Sequence, residues 1–300
     1  MADNAALIRQ PSIQSKAKSL SAQRRVTRTI LYFVIFFLVI IFAFPLYYMI
    51  IVSLMTQFEA YQWPPLFYPK SWLFTNYPDM FARVPLAQWF WNSTYIALFQ
   101  VGGAVMSSAI VGYGFARFRF PFKNALFVIT LGTMMFPAQI TLIPQFVLFH
   151  RLGWINTFYP LIVPPFFGGG AFNIFLVRQF IMQLPRELDE AALIDGAGYL
   201  RTFFSVLLPL SKPVIATIAI IRFMGSWNSF LGPLLYLQSK KKFTLAIGLR
   251  YWDAQPAIGE IALTHLMMAM CVITAAPCII LFFSAQRIFV RGITMTGMKG

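Results

Sequence analysis

Charge of one sign is nearly missing from this chain. Nine acidic residues stand against 24 lysines and arginines in 300 positions, and charged residues of both signs make up 11%. A water-soluble domain carries about 25%. With 59% of residues hydrophobic, there is too little polar surface to wrap one soluble core. An ordinary globular domain is excluded, and a polytopic membrane protein is expected. Histidine is scarce as well. His150 and His265 stand alone, without an HExxH pattern or a histidine–carboxylate pair, so nothing supports an intramembrane enzyme. No GxxxxGK[ST] loop occurs, so ATP hydrolysis is expected on another chain if ATP is used at all. Only two cysteines are present, Cys271 and Cys278, at i and i+7 of one apolar run. On a helix they are too far apart along the axis for a disulfide, and no zinc spacing exists.

The acidic residues are Asp3, Glu59, Asp79, Glu187, Asp189, Glu190, Asp195, Asp253 and Glu260, and all fall outside the apolar runs. Ion-coupled transport commonly uses an ionisable group near the membrane midplane. Their absence there argues against a proton-coupled secondary transporter, though a sodium site made of backbone carbonyls stays open. The net charge of +15 raises the question of nucleic acid. The basic residues form no dense stripe beside aromatics, so no nucleic-acid partner is expected and the partner is the lipid bilayer.

Long apolar runs are abundant. The stretch 30–54, "ILYFVIFFLVIIFAFPLYYMIIVSL", holds 18 Leu, Ile, Phe or Val residues, worth on the order of 5–10 kcal/mol for insertion. It is too long for a cleaved signal peptide, and no small-residue cleavage site follows. Further runs lie at 89–116, 125–149, 157–182, 213–236 and 261–285, each near the roughly 20 residues a bilayer requires. Six spans place both termini on one side. That side carries 16 lysines and arginines in the N-tail, the 117–123 loop, the 178–212 region and the C-terminus; the other carries seven. The bias puts both termini in the cytoplasm, with the Lys240, Lys241, Lys242 cluster pulling the other way. The fold class is therefore all-α and polytopic, with about six transmembrane helices. A basic tail covers 1–28, a permease domain 29–286 (with a cytoplasmic loop at 183–212), and a second tail 287–300. Pro137, Pro144, Pro164, Pro165 and the glycines at 168–170 lie inside runs and call for neighbouring helices or water to satisfy freed backbone groups. The aromatic, proline-rich segment 55–88 reads as an outside loop with a short interfacial helix.

Arg222 is alone inside a span, at a cost of roughly 2.5–3.5 kcal/mol on insertion scales. It must face protein or water, either as a pathway residue or as a polar contact to a partner. Gln139, Thr141, Ser226, Trp227 and Asn228 add polar and aromatic groups suited to a sugar path, with hydrogen bonds between packed helices as the alternative use.

The segment "EAALIDGAGYLRTFFSVLLP" at 190–209 is different. Pro185 suits a first helical position, and Glu187, Asp189 and Glu190 suit a helix N-terminus. Gly196 and Gly198 are expected to end that helix in the left-handed conformation. A second helix follows, with Leu200, Phe203, Phe204, Leu207 and Leu208 expected on one apolar face. Such a helix pair fits a groove on a partner, or packs on its own bundle.

Glu190-Ala191-Ala192, then Gly196, Val206 and Leu208-Pro209, reproduce the spacing Glu-Ala-Ala, three residues, Gly, nine residues, Ile, one residue, Leu-Pro. In that pattern the chain resembles the inner-membrane permeases of binding-protein-dependent ABC importers; Val206 in place of isoleucine is the one departure. "GSWNSFLGPL" (225–234), "TMMFPAQITLIPQFVLFHRLGWINT" (133–157) and the ending "QRIFVRGITMTGMKG" are similar to the carbohydrate branch, the last to the smaller permease of maltose-type importers. Arg222 departs from the apolar residue expected there. The resemblance implies a coupling helix at Glu190–Pro209 docked in an ATPase subunit, and C-terminal contacts to it from Gly297, Met298, Lys299 and Gly300. It further implies two ATPase subunits carrying ATP and Mg, a second homologous permease and an extracytoplasmic solute-binding protein. This chain itself would bind no cofactor and no metal. It would import an oligo- or disaccharide across the bacterial inner membrane by alternating access.

Overall fold

The computed structural model describes the backbone of residues 13–253 and 263–296, and side chains over 25–253 and 263–286, Ala138 excepted. Every regular element among these residues is helical. The principal helices are α1 (Ile13–Ser53), α2 (Leu86–Arg117), α3 (Lys123–Gly132), α4 (Ala138–Arg151), α5 (Ala171–Gln183), α6 (Glu187–Ile194), α7 (Tyr199–Thr202), α8 (Lys212–Trp227), α9 (Leu245–Asp253) and α10 (Thr264–Thr296). Four stretches are long and apolar enough to cross a bilayer unaided: 25–53, 86–117, 159–183 and 264–286. The number is six if each of two bent pairs is one span: α3 and α4, at 98°, and the 199–210 stretch with α8, at 76°.

Helix α2 is the axle of the bundle, packed against α5 on one side and α8 on the other. Small residues allow this. A Cβ on Gly112 would lie 2.7 Å from Val177 of α5, and one on Gly103 would lie 2.6 Å from the Phe166 ring. Helix α1 packs on α10 at the periphery, with its apolar window wholly outward, as expected of a helix whose solvent is hydrocarbon.

The broken stretch at 164–170 solves the problem that its prolines and glycines pose. Gly168, Gly169 and Gly170 all have positive φ. Asn173 Nδ2 donates to the Gly169 carbonyl at 2.6 Å, and Ser107 Oγ, 2.7 Å from the Gly103 carbonyl, also reaches that of Pro165 at 2.8 Å. A neighbouring helix and the first turn of the helix that follows thus satisfy the freed backbone. Gly169 is also spatially obligatory, since a Cβ there would lie 2.6 Å from the Ala104 carbonyl oxygen.

At one end of the bundle lie segment 54–85, the 151–158 turn and the 228–253 region; at the other lie the 118–122 turn and 184–211. Segment 55–88 holds two short helices, Gln57–Tyr61 and Asn76–Arg83. Thr56 and Glu59 cap the first reciprocally: the Glu59 amide donates to the Thr56 hydroxyl at 3.2 Å, and the Thr56 amide to Glu59 Oε2 at 2.9 Å. Glu59 Oε1 also accepts the Lys70 amide at 3.1 Å. The expected span 213–236 is interrupted. Helix α8 ends at Trp227, and a separate short helix, Leu231–Tyr236, follows. Asn228 ends it by donating its side-chain amide to the Met224 carbonyl at 2.8 Å. The three-lysine segment Lys240–Lys242 is held as structure: Trp89 Nε1 donates to the Lys240 carbonyl at 2.8 Å, and Asn92 Nδ2 to the Lys241 carbonyl at 2.9 Å.

Candidate functional site

The segment 187–210 folds as helix, turn, helix. Helix α6 begins with three acidic residues in its first turn, where the helix dipole favours them. Pro185 lies just before the helix rather than at its first position. The turn is a Schellman closure: the Ala197 amide donates to the Ala192 carbonyl at 2.9 Å and the Gly196 amide to Leu193 at 3.0 Å. Gly196 occupies the left-handed position, at φ +78°. Gly198, expected to share that conformation, instead has φ −72° and ψ 166° and opens the next helix. The extended backbone before a helix is what an N-cap residue adopts.

The second helix departs from the sequence reading. A π-turn spans Phe203–Leu207, widening the helix and changing which side chains turn inward. Phe203 and Leu207 are buried (2% and 0% exposed) in a cluster with Tyr113, Ile181, Val214 and Ile218. Leu200, at 73% exposure, and Phe204 point outward. The five apolar residues therefore divide between the bundle and the outside. With Leu193, Tyr199 and Ile194 (87% exposed), Leu200 and Phe204 give the loop an apolar outer side beside its acidic residues. Of the signature residues, Ala192 is buried, Val206 and Leu208 are half-buried, and Glu190, Ala191, Gly196 and Pro209 are exposed. Glu187 and Glu190 make no ion pair among the described residues.

The loop is clamped to the bundle by residues that the sequence did not single out. Arg117, the last residue of α2, lies with Nε 2.9 Å from Asp189 Oδ2, in an ion pair largely shielded from outside. Its Nη2 donates to the carbonyls of Leu184 at 3.0 Å and Pro185 at 3.3 Å. Tyr113, one turn earlier, stacks on Phe203 with centroids 4.9 Å apart, and its hydroxyl reaches the Tyr199 carbonyl at 3.4 Å. Phe118 packs edge-on against Tyr199 at 5.3 Å. Tyr113, Arg117, Arg186, Glu190 and Tyr199 line a recess under the turn. A push on the loop therefore bears on the end of the axle helix. The available signal was an arginine closing an apolar run; its partner, 72 positions later, could not be read from spacing.

The candidate path residues do not form one cluster. Gln139 and Thr141 are exposed near the start of α4, with Gln145 Nε2 3.3 Å from the Thr141 hydroxyl. Arg222 lines a recess with Thr130, Thr133, Phe167 and the glycines 168–170. Its Nε and the Ser226 hydroxyl are buried without a hydrogen-bond partner among the described residues. Trp227 is buried instead, stacked on Phe223 at 5.4 Å and donating Nε1 to the Thr274 carbonyl at 3.0 Å. Asn228 is exposed. Gly297, Met298, Lys299 and Gly300 lie outside the described residues. Among those described, no group of three His, Cys, Asp or Glu could hold a metal.

Fold and site together define a multi-pass helical membrane protein that presents a braced, apolar-sided loop beyond its own bundle. Residues 104–295 match the model of the binding-protein-dependent transport system inner membrane component family. The chain is 34% identical over 267 residues to the arabinooligosaccharides transport system permease protein AraQ of Halalkalibacterium halodurans, covering 88% of this chain and 94% of that one. It is 33% identical over 230 residues to the maltodextrin transport system permease protein MdxG of Bacillus subtilis, with coverages of 77% and 82%. To the sn-glycerol-3-phosphate transport system permease protein UgpE of Brucella abortus it is 32% identical over 285 residues, covering 91% and 98%. A subunit of a bacterial ABC transporter that imports the acidic polysaccharide alginate has the same fold, with TM-score 0.80 and 21% identity over 88% of this chain and 97% of that one. The chain belongs to the binding-protein-dependent transport system inner membrane components.

Proposed function

We propose that this chain is a permease subunit of an ATP-driven importer that carries a carbohydrate across the bacterial inner membrane by alternating access. The 187–210 loop supports the reading most directly. It offers exposed apolar side chains where no bilayer needs them, and it is braced through Arg117 and Tyr113 to the central helix. A loop used only as a connector requires neither feature. In this reading both termini and the loop face the cytoplasm, as the basic-residue bias supports. The loop docks in one of two ATPase subunits, which bind ATP and Mg. A second homologous permease completes the pore, and an extracytoplasmic solute-binding protein delivers the substrate. Relatives named for arabino-oligosaccharides, maltodextrin and glycerol 3-phosphate support a saccharide or polyol phosphate as cargo.

Gln139, Thr141, Arg222, Ser226 and Asn228 are the path residues of this proposal. Trp227, packed on Phe223 and Phe90, supports the α8 wall rather than touching solute. Purification in mild detergent followed by uptake assays in proteoliposomes tests the reading. An ATPase chain and a second permease should co-purify, and uptake of an arabino-oligosaccharide, a maltodextrin or glycerol 3-phosphate should require ATP and the binding protein. A lone homo-oligomer that transports without ATP would overturn it.

A further inference from the structure

Four cations gather at the loop end of the bundle. Arg119 follows α2, Lys123 opens α3, Arg178 lies on α5 and Arg186 precedes α6. The charges acting on Lys123 are those of Arg178, Arg186 and Arg119, all of its own sign. None of the four makes an ion pair among the described residues. Asp189, a nearby carboxylate, is taken by Arg117; Glu190 shares a recess with Arg186 but is not paired with it. Arg178 sets its guanidinium over the Phe127 ring at 4.1 Å and leaves Nε buried without a hydrogen-bond partner. Lys123 Nζ donates to the Phe118 carbonyl at 2.8 Å, which uses one of its three protons.

Neighbouring like charges repel one another unless an anion joins them. The surroundings identify that anion. Arg119, Lys123, Phe120, Phe122, Asn124 and Ala125 line a shallow recess. Phe122, 81% exposed, is turned outward by a left-handed backbone at φ 59°. The ring thus stands beside the cations at the very start of the apolar helix α3. From there the exposed side chains of Leu126, Val128 and Ile129 run along α3, giving acyl chains an apolar track. Unlike the apolar residues of the 187–210 loop, these lie within a stretch apolar enough to enter a bilayer, where their neighbours are acyl chains.

We propose that Arg119, Lys123 and Arg178 form a binding site for the headgroup of an anionic phospholipid, with its acyl chains lying along α3. Basic pockets between spans are suited to such headgroups, at about 1 kcal/mol, or roughly fivefold in affinity, per cation. The site is independent of the transported solute, so its failure and that of the transport reading are separable.

Native mass spectrometry of the full chain with dioleoylphosphatidylglycerol or dioleoylphosphatidylethanolamine tests it. Phosphatidylglycerol should be retained in preference. Arg119→Gln, at an exposed position that folding does not require, should weaken its retention roughly fivefold, and Arg119→Gln with Lys123→Gln about 25-fold. Phosphatidylethanolamine binding should be unchanged in both variants, and excess inorganic phosphate should leave the lipid in place. Equal retention of the two lipids, unaltered phosphatidylglycerol binding in the variants, displacement by phosphate, or cross-linking of position 119 to the ATPase in the assembled importer would each overturn the assignment.

Discussion

Replacing Gly196 isolates what the turn in the loop does. Its φ of +78° is left-handed, and a Cβ added there meets nothing within 4 Å. The penalty of Gly196→Ala is therefore conformational rather than steric, about 1–2 kcal/mol. That is a factor of about 5 to 30 in the population of the closed turn. Asparagine tolerates the left-handed region better than alanine, and a β-branched residue tolerates it worst. ATP-driven uptake in proteoliposomes should fall in the order Gly, Asn, Ala, Val, with membrane insertion and the amount of protein unchanged. Hydrogen exchange of the Gly196 and Ala197 amides, which close the turn onto Leu193 and Ala192, should accelerate in the same order. If alanine and valine transport as well as glycine, the turn does not transmit force. If asparagine is as harmful as valine, side-chain bulk at the docking surface governs and the backbone reasoning is wrong.

Arg117→Ala should free the loop from the bundle, leaving Asp189 without its partner and the Leu184 and Pro185 carbonyls without a donor. A local loss on the order of 2–3 kcal/mol should appear as faster exchange across 186–198, and an Arg117→Ala, Asp189→Asn double-mutant cycle showing no coupling would contradict the clamp. Glu59 bears on pH: burial acts to raise its pKa, but hydrogen bonds from the Thr56 amide and hydroxyl and the Lys70 amide, together with the Lys70 charge, hold it below the ordinary carboxylate value of 4.5. Its contribution is thus present above pH 4.5 and lost as pH falls through its lower folded value. Thermal unfolding of the wild type should drop relative to Glu59→Gln only in that acidic window, and parallel pH profiles would refute this. Gly112→Leu should force α2 away from α5, because a Cβ alone already lies 2.7 Å from Val177; overpacking of this kind costs about 1–3 kcal/mol or more. Unchanged thermal stability would show that the two helices do not pack at that point.

Long apolar runs made the spans legible, since a bilayer selects them by length and hydropathy alone. The fifth was drawn too far, to 236, because its break at 228–230 rests on an asparagine cap that hydropathy does not reveal. The helix–turn–helix loop was equally legible, because acidic residues, alanines and glycine act through neighbours within a few positions. The separate roles of Gly196 and Gly198 were not, since both conformations suit glycine. The split of Leu200, Phe203, Phe204, Leu207 and Leu208 depends on a π-turn, which leaves the apolar period nearly intact while changing what each side chain meets. Arg117 and Tyr113 were invisible as loop partners because their contacts cross 67 to 90 positions. Trp227 looked like a sugar platform by residue type, yet the Thr274 carbonyl and the Phe223 ring claim it.

Site-specific cross-linking tests the central claim most directly. With Cys271→Ala and Cys278→Ala in place, an Ile194→Cys variant puts a single thiol on the most exposed apolar residue of the loop. In membranes from cells producing the whole importer, it should cross-link to the ATPase chain and resist an impermeant maleimide added from outside, while Leu152→Cys, at the opposite end, should react from outside and miss the ATPase. Labelling of position 194 from outside, or its cross-linking to this chain alone, would contradict the account.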